Sequence, residues 1–424
     1  MLPEENNFRV ITFGCRLNFW ETEVIKDHLN SKCSSQVTVF NTCSVTGEAE
    51  RKAKQAIRKI KTLNPHSKIV VTGCAAQISP ETWSAMPEVN YVIGNKEKVD
   101  KDFWTRFFKN ENLIKENIVV SDIMKLKETA NHLLKNFDQK TRCFLQIQNG
   151  CDHRCTFCVI PYGRGNSRST RVEDIIKNIH SALENEVKEI VLTGVDLTSW
   201  GNDFSEKKSL GSLLKIIFKE IPDLPRLRVS SLDPAEIDHD FMDVLENQEN
   251  LMPHLHLSIQ HGDNIILKRM KRRHLFIDVI NFVKEAKLRR PDVVFGGDFI
   301  SGFPTETEEA HKNSIKLIKE AGINFAHIFP FSPRNGTPAA KMNGLSKIII
   351  NQRSKELREL SQKNTNIFLN SLIGTKQKVL VEKNNTGYTP QFAKVKFDGN
   401  LKPGNIIDAT VIGMENLFLI GNIN

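Results

Sequence analysis

The chain has 424 residues, 39% of them hydrophobic and 26% charged, which excludes a wholly disordered protein and leaves room for about three domains. Its net charge of +9 favours a polyanionic partner. Eight cysteines in so long a chain, with a polar start and no apolar run suited to a signal peptide or membrane anchor, point to metal or redox use in a cytoplasmic protein rather than to a disulfide framework.

Residues 8–13 read as a strand ending at Gly14-Cys15. Asn18 is placed to cap a helix whose apolar face is Val24, Ile25, His28 and Leu29. A second strand over 37–40 ends at Asn41-Thr42-Cys43. The helix expected over 48–63 sets Ala49, Ala53, Ala56, Ile57, Ile60 and Leu63 on one face, and a row of lysines and arginines from Arg51 to Lys61 on the other. Strands over 69–72, ending at Gly73-Cys74, and 91–93, ending at Gly94-Asn95, complete a doubly wound parallel sheet. Cys15, Cys43 and Cys74 thus each follow the C-terminal end of a parallel strand, the edge where such sheets bind ligands. Three unrelated turn cysteines are the bland reading of the same pattern. Cys33 and Cys143 lack this placement, and Cys143 alternates with Leu145 and Ile147 as a core residue of a strand.

Residues 122–141 lack strong periodicity, contain a charged helical piece and read as a linker. From 142 onward the pattern is β/α. Strands over 142–148, 190–192, 227–230, 255–259, 293–299 and 325–329 alternate with helices such as 210–218 and 276–288, and Thr170 with Glu173 is suited to a capping box. Six alternations imply a parallel sheet curved into a partial barrel, with its active face at the strand C-termini. A helical connector over 346–372 leads to short strands at 379–381, 393–397, 406–412 and 417–420, a small β-barrel. The expected domains are 1–121, 142–371 and 372–424, joined by the 122–141 linker. Basic stretches lie on the helix 51–61 and at Lys268-Arg269-Met270-Lys271-Arg272-Arg273; they suit RNA phosphates, or are simply solvated.

The most telling stretch is Cys151-Asp152-His153-Arg154-Cys155-Thr156-Phe157-Cys158. Three buried hydrophobes do not explain it, because the residues between the cysteines are polar. Zinc motifs come as cysteine pairs, and a structural zinc site needs four ligands. Three thiolates on one loop are suited to three corners of an iron–sulfur cube, leaving the fourth iron open for a ligand.

This spacing resembles the cluster loop of radical S-adenosylmethionine (SAM) enzymes. The resemblance implies that Cys151, Cys155 and Cys158 hold a 4Fe–4S cluster whose open iron chelates SAM and whose electron cleaves it to a 5′-deoxyadenosyl radical. It also implies SAM contacts at Phe157, Gly194-Val195-Asp196, Ser230 and Gln260. A closer resemblance covers nearly the whole chain. Asn41-Thr42-Cys43-Ser44-Val45-Thr46, Thr72-Gly73-Cys74-Ala75 and Ile93-Gly94-Asn95 look like the N-terminal domain of the methylthiotransferases, as do Pro161-Tyr162-Gly163-Arg164-Gly165 and 329–338 of their central domain. In that family Cys15, Cys43 and Cys74 would hold a second 4Fe–4S cluster, and the C-terminal barrel would be a TRAM domain that binds tRNA. The implied activity is methylthiolation of an adenosine beside the anticodon, with flavodoxin or ferredoxin as electron donor and a separate sulfur source. The segments 41–46 and 194–201 look most like the threonylcarbamoyladenosine branch. Its carboxylate would need a cation, with Arg164, Arg168 and Arg334 as candidates. The isopentenyladenosine branch, the branch acting on a ribosomal-protein aspartate, and a non-catalytic iron–sulfur RNA-binding protein are the alternatives.

Overall fold

The computed structural model describes residues 8–30, 36–109, 116–129 and 141–423. Cys33 and most of the expected linker lie outside the described residues. The first sheet runs β1 (Phe8–Thr12), β2 (Val37–Thr42), β3 (Lys68–Gly73), β4 (Tyr91–Ile93) and β5 (Ile118–Val119), in that order and all parallel. Both its faces are covered, because its strands are apolar on alternate sides. On one face Ile25 and Leu29 of the helix Arg16–Asn30 pack with Val37, Val39 and Val70. On the other, Ala53 and Ile57 of the helix Gly47–Leu63 pack with Phe40, Ile69 and Val71. The covering helix therefore changes face between β1 and β3, and the turns carrying Cys15, Cys43 and Cys74 open where it does so.

Two local expectations are corrected here. Asn18 does not cap its helix but lies inside it. Its amide donates to the carbonyls of Phe13 (2.7 Å) and Thr42 (3.1 Å), tying the ends of β1 and β2 together. Leu63, the last residue of its helix, is exposed and does not join the buried face.

The central unit begins at β6 (Arg142–Gln146). A two-stranded ribbon of β7 (Gln148–Asn149) and β8 (Arg168–Ser169) brackets the cysteine loop. Then follow β9 (Glu189–Thr193), β10 (Leu227–Val229) and β11 (Ser231–Leu232), one strand path broken at Ser230. β12 (His254–Gln260), β13 (Val294–Ser301) and β14 (Phe325–Pro330) complete it. The hydrogen-bonded orders β10-β9-β6 and β11-β12-β13-β14, all parallel, make the expected six-unit partial barrel. Cys143 is core, as expected, with Leu145 and Ile147. The helix Val172–Glu184 starts at Arg171 with no side-chain cap, so the Thr170–Glu173 box does not form; the Thr170 hydroxyl bonds the Gln146 carbonyl instead.

Both edges of the partial barrel are covered. Trp20 and Val24 of the helix Arg16–Asn30 pack against the β6 residues Cys143 and Leu145, which brings the first sheet to the barrel's open side. Along β14 runs the helix Lys347–Ser371. There the Ser361 hydroxyl accepts from the Ala326 amide (3.1 Å) and donates to its carbonyl (2.8 Å), satisfying backbone groups that an edge strand leaves open.

The last unit is a closed barrel, ordered β15 (Lys376–Glu382), β16 (Thr386–Tyr388), β17 (Lys394–Phe397), β19 (Phe418–Ile423), β18 (Ile406–Glu415). Its core of Val379, Val395, Phe397 and Val411 includes Leu369 and Leu372 from the connecting helix. β16 has only three residues and no alternating pattern, which is why the sequence yields four strands and the fold has five. Its loop to β17 docks on the floor of the partial barrel. Phe392 lies 5.2 Å from the His254 ring, with Arg142 and Arg228 over it, and Arg228 donates to the Pro390 carbonyl (3.1 Å).

Candidate metal centres and active site

Cys15, Cys43 and Cys74 converge at one end of the first sheet. Gly14, at φ +98°, turns the chain over Cys43 so tightly that a β-carbon there would lie 2.6 Å from the Cys43 sulfur. Asn18 Oδ1 is 3.9 Å from Cys15 Sγ, and Asn95 Nδ2 is 3.9 Å from Cys74 Sγ. Burial pushes the Cys43 thiol up to about 12, and neighbouring Cys74 and Cys15 add to it. A buried group of thiols ionises at neutral pH only when a cation joins it, and a metal supplies that charge.

Cys151, Cys155 and Cys158 lie on the loop between β7 and the short helix Ile160–Arg164. Gly150 (φ +75°) starts it, where a β-carbon would strike the Asn166 carbonyl. Cys155 is held by Arg272, whose Nη1 is 3.7 Å from its sulfur. Burial raises the Cys151 and Cys158 thiols, Cys158 to about 12. The two trios are neighbours. Cys74 is among the groups that raise Cys158, and a β-carbon on Gly163 would lie 3.2 Å from that of Cys74.

The spacing of the sulfurs argues against a lone ion. Among the described residues, neither trio brings all three sulfurs within 4.8 Å of one another, whereas a single tetrahedral zinc would hold them about 3.8 Å apart. A lone tetrahedral ion therefore does not match either trio as it stands. Cys151 does meet His153 and Asp196 within that limit. That pair is already occupied, with His153 Nε2 3.0 Å from Asp196 Oδ2 and the imidazole pushed up to about 10 by Asp196 and Glu236, so the ring is protonated and offers no lone pair.

The residues expected to contact SAM surround the barrel mouth. The Val195 and Asp196 amides both donate to Gln148 Oε1 at 2.9 Å, and Ser199 bonds Asp196 Oδ2 at 2.7 Å. The Ser230 hydroxyl, at the break between β10 and β11, is buried and has no hydrogen-bond partner among the described residues. Phe157, Gln260 and Asp298 line a cavity of about 190 Å³ together with Val45 and Thr46 of the first sheet's Cys43 loop. Gln260 has φ +70°, a strained backbone for a residue that lines a site. Burial alone would raise the Asp298 carboxyl, but bonds from His256 and His327 hold it well below the usual carboxylate range.

Of the three arginines proposed for a substrate carboxylate, the fold commits all three elsewhere. Arg164 is 2% exposed and donates to Glu21 (2.8 Å) and Asn18 (2.6 Å). Arg168 donates to the carbonyls of Asn166 and Arg164. Arg334 binds Glu50 and Ser44, joining the loop after β14 to the first sheet. Sequence reasoning missed Gln148, Glu21 and Asn18 as organisers of the site, because a lone Gln, Glu or Asn carries no motif.

Residues 145–318 match the radical SAM superfamily, and residues 7–94 match a family described as uncharacterized protein family UPF0004. The chain is 45% identical to the threonylcarbamoyladenosine tRNA methylthiotransferase MtaB of Rickettsia prowazekii (strain Madrid E), over 98% of this chain and 97% of that one. The chain belongs to the methylthiotransferase family. Its MtaB relative in Bacillus subtilis (strain 168) is 34% identical over 92% of this chain and 89% of its own. A tRNA-2-methylthio-N(6)-dimethylallyladenosine synthase of Bartonella bacilliformis (strain ATCC 35685 / KC583 / Herrer 020/F12,63) is 31% identical over 97% and 94%. In fold, this methylthiotransferase is similar to the radical SAM methyltransferase TsrM of Kitasatospora setae, with a TM-score of 0.59 at 12% identity, over 79% of this chain and 77% of that one. Among its described residues no helix is long and apolar enough to cross a membrane.

Proposed function

We propose that this chain methylthiolates carbon 2 of threonylcarbamoyladenosine beside the anticodon of tRNA, with two 4Fe–4S clusters and SAM as cofactors. The observation that carries the reading is the adjacency of two cysteine trios at the barrel mouth, with Cys74 near enough to act on the Cys158 thiol. The 45% identity to a relative named for that substrate, against 31% for one named for dimethylallyladenosine, supports the branch. Cys151, Cys155 and Cys158 would hold a cluster that would supply the electron for SAM cleavage, and Cys15, Cys43 and Cys74 one that would supply the sulfur for transfer.

The chain's own residues position and shield. Asp196, fixed by Gln148 and Ser199, offers its carboxylate to the SAM amino group, with Gly194 and Val195 forming the turn beneath it. Phe157 offers a face for the adenine, while Ser230 and Gln260 bond the rest of SAM. The helix Arg16–Asn30 closes the barrel's open side and keeps water from the reacting carbon. The units act as 1–121 for sulfur transfer, 142–371 for SAM chemistry and 372–424 as a TRAM-like RNA arm, with 122–141 as the linker. The partners are the anticodon loop, whose unpaired bases can be splayed into a pocket, a flavodoxin or ferredoxin donor, and a sulfur source, in the cytoplasm. The test gives reconstituted enzyme, SAM and reductant two tRNAs, one bearing each modification. Methylthiolation of the isopentenyl tRNA alone overturns the branch.

A further inference from the structure

Around the barrel lumen the charges are paired off. Arg142 lies 3.3 Å from Glu189 and 2.6 Å from Glu382, and Arg228 lies 3.0 Å from Glu189. His256 and His327 face Asp298 at 2.9 and 3.5 Å. Arg16 is the exception. It opens the helix that closes the barrel, is half-buried, and sets its guanidinium 5.9 Å from the Phe392 ring on the lumen floor. Among the described residues nothing hydrogen-bonds it or pairs with it. Arg142 and Arg228, which lie over the same Phe392 ring, are its like-charged neighbours. A confined cation with repulsive neighbours and no partner is costly, and an anion in the lumen would remove that cost.

We propose that Arg16 reads the carboxylate of the amino-acid substituent on the modified adenosine. This rests on the substrate branch stated above. Arg16 directly follows Cys15, about 3.8 Å from it along the backbone. The ring carbon that receives sulfur must approach the site Cys15 helps to form. The substituent on N6 leaves the same ring across N1 from that carbon, so its carboxylate ends several ångströms deeper, within the reach of an arginine side chain. An uncharged isopentenyl group would leave Arg16 without a partner, so the same residue attracts one substrate and rejects the other. SAM also carries a carboxylate, and the test must separate the two sources.

Anticodon stem–loops carrying threonylcarbamoyladenosine, its methyl ester or isopentenyladenosine are bound to the reconstituted enzyme with SAM, and dissociation constants are read by fluorescence anisotropy. Wild type should bind the acid about tenfold to hundredfold more tightly than the ester, the worth of a charge-assisted hydrogen bond. Arg16→Gln should bring that ratio close to one, and Arg16→Lys should restore part of it, a point charge replacing a fork. Arg16→Met is the second variant should Arg16→Gln fail to assemble, with iron content as the check on assembly. An acid-to-ester ratio unchanged in Arg16→Gln overturns the proposal. So does an equal weakening of acid and ester, the result expected if Arg16 instead serves SAM or the fold. A wild-type enzyme that prefers the isopentenyl loop overturns the substrate branch itself.

Discussion

Arg164 and Glu21 meet at 2.8 Å, Nη1 to Oε1, each 2% exposed, and by that contact the cysteine loop of the barrel is fastened to the first sheet. Lys98 completes the cluster, its Nζ 2.6 Å from the other Glu21 oxygen. Against the burial that would raise it, Arg164 and Lys98 hold the Glu21 carboxyl below its usual range. One carboxylate thus serves two cations beside both cysteine trios. Removing its charge leaves two buried cations with only neutral amide partners. Glu21→Gln should lower the stability of the apoprotein by about 3–5 kcal/mol in urea unfolding. A loss under about 1 kcal/mol would mean the contact does not fasten the units.

The cysteine assignments are tested by iron. Reconstituted wild type should hold about eight irons, and replacing either trio by alanine should halve that figure. Only the Cys151, Cys155 and Cys158 variant should lose SAM cleavage altogether. Saturation of the wild type near four irons would remove the second cluster.

What the sequence made legible follows from range. The placement of the six cysteines in two groups was readable because strand ends and loop spacing are local, and parallel strands place their C-terminal ends on one edge whatever the loops do. The six β/α units were readable from apolar runs such as 190–192 and 255–259. Nothing local predicts that Asn18 bonds across to Thr42 instead of capping, or that Arg164 is spent on Glu21, 143 positions away. Arg16 was invisible for the same reason. Its meaning lies in which other charges are already paired, and only the folded lumen shows that.

Asp233 gives a pH signature. Burial would raise its carboxyl, but His274 and Arg272, the latter at 2.8 Å, hold it at about 2, below the ordinary value of about 3.9. A depressed carboxylate stabilises the fold above its unfolded pKa, and that stability is lost as pH falls toward the folded one. The stability gap between wild type and Asp233→Asn apoprotein should therefore be constant above about pH 5 and shrink between about pH 5 and 2. A gap that widens on acidification would contradict the ion pair.

The C-terminal barrel is not a detachable arm. Arg226 donates to the Lys378 carbonyl (2.7 Å), and Phe392 fills the floor beneath Arg142 and Arg228. Truncation before β15 should therefore destabilise the central unit as well as weaken RNA binding. Phe392→Ala, which keeps the barrel, should lower the melting temperature of the whole chain, about 2–3 kcal/mol being lost with the ring's packing and cation contacts. An unchanged melting curve would show the two units to be independent.

RNA binding by that barrel has its own signature. Lys376, Lys396 and Lys402 are exposed on it. Exposed lysines bind phosphate as point charges, and each phosphate neutralised releases counterions, so the affinity falls with salt by a slope set by the number of contacts. Replacing all three with glutamine should weaken binding of every tRNA alike, and should flatten the plot of log affinity against log salt by about two to three. Because no catalytic ligand lies in the barrel, turnover at saturating tRNA should hold while KM rises. A variant with the wild-type salt slope would move the phosphate contacts to the basic helix Gly47–Leu63, where Arg51, Lys52, Arg58 and Lys59 face solvent.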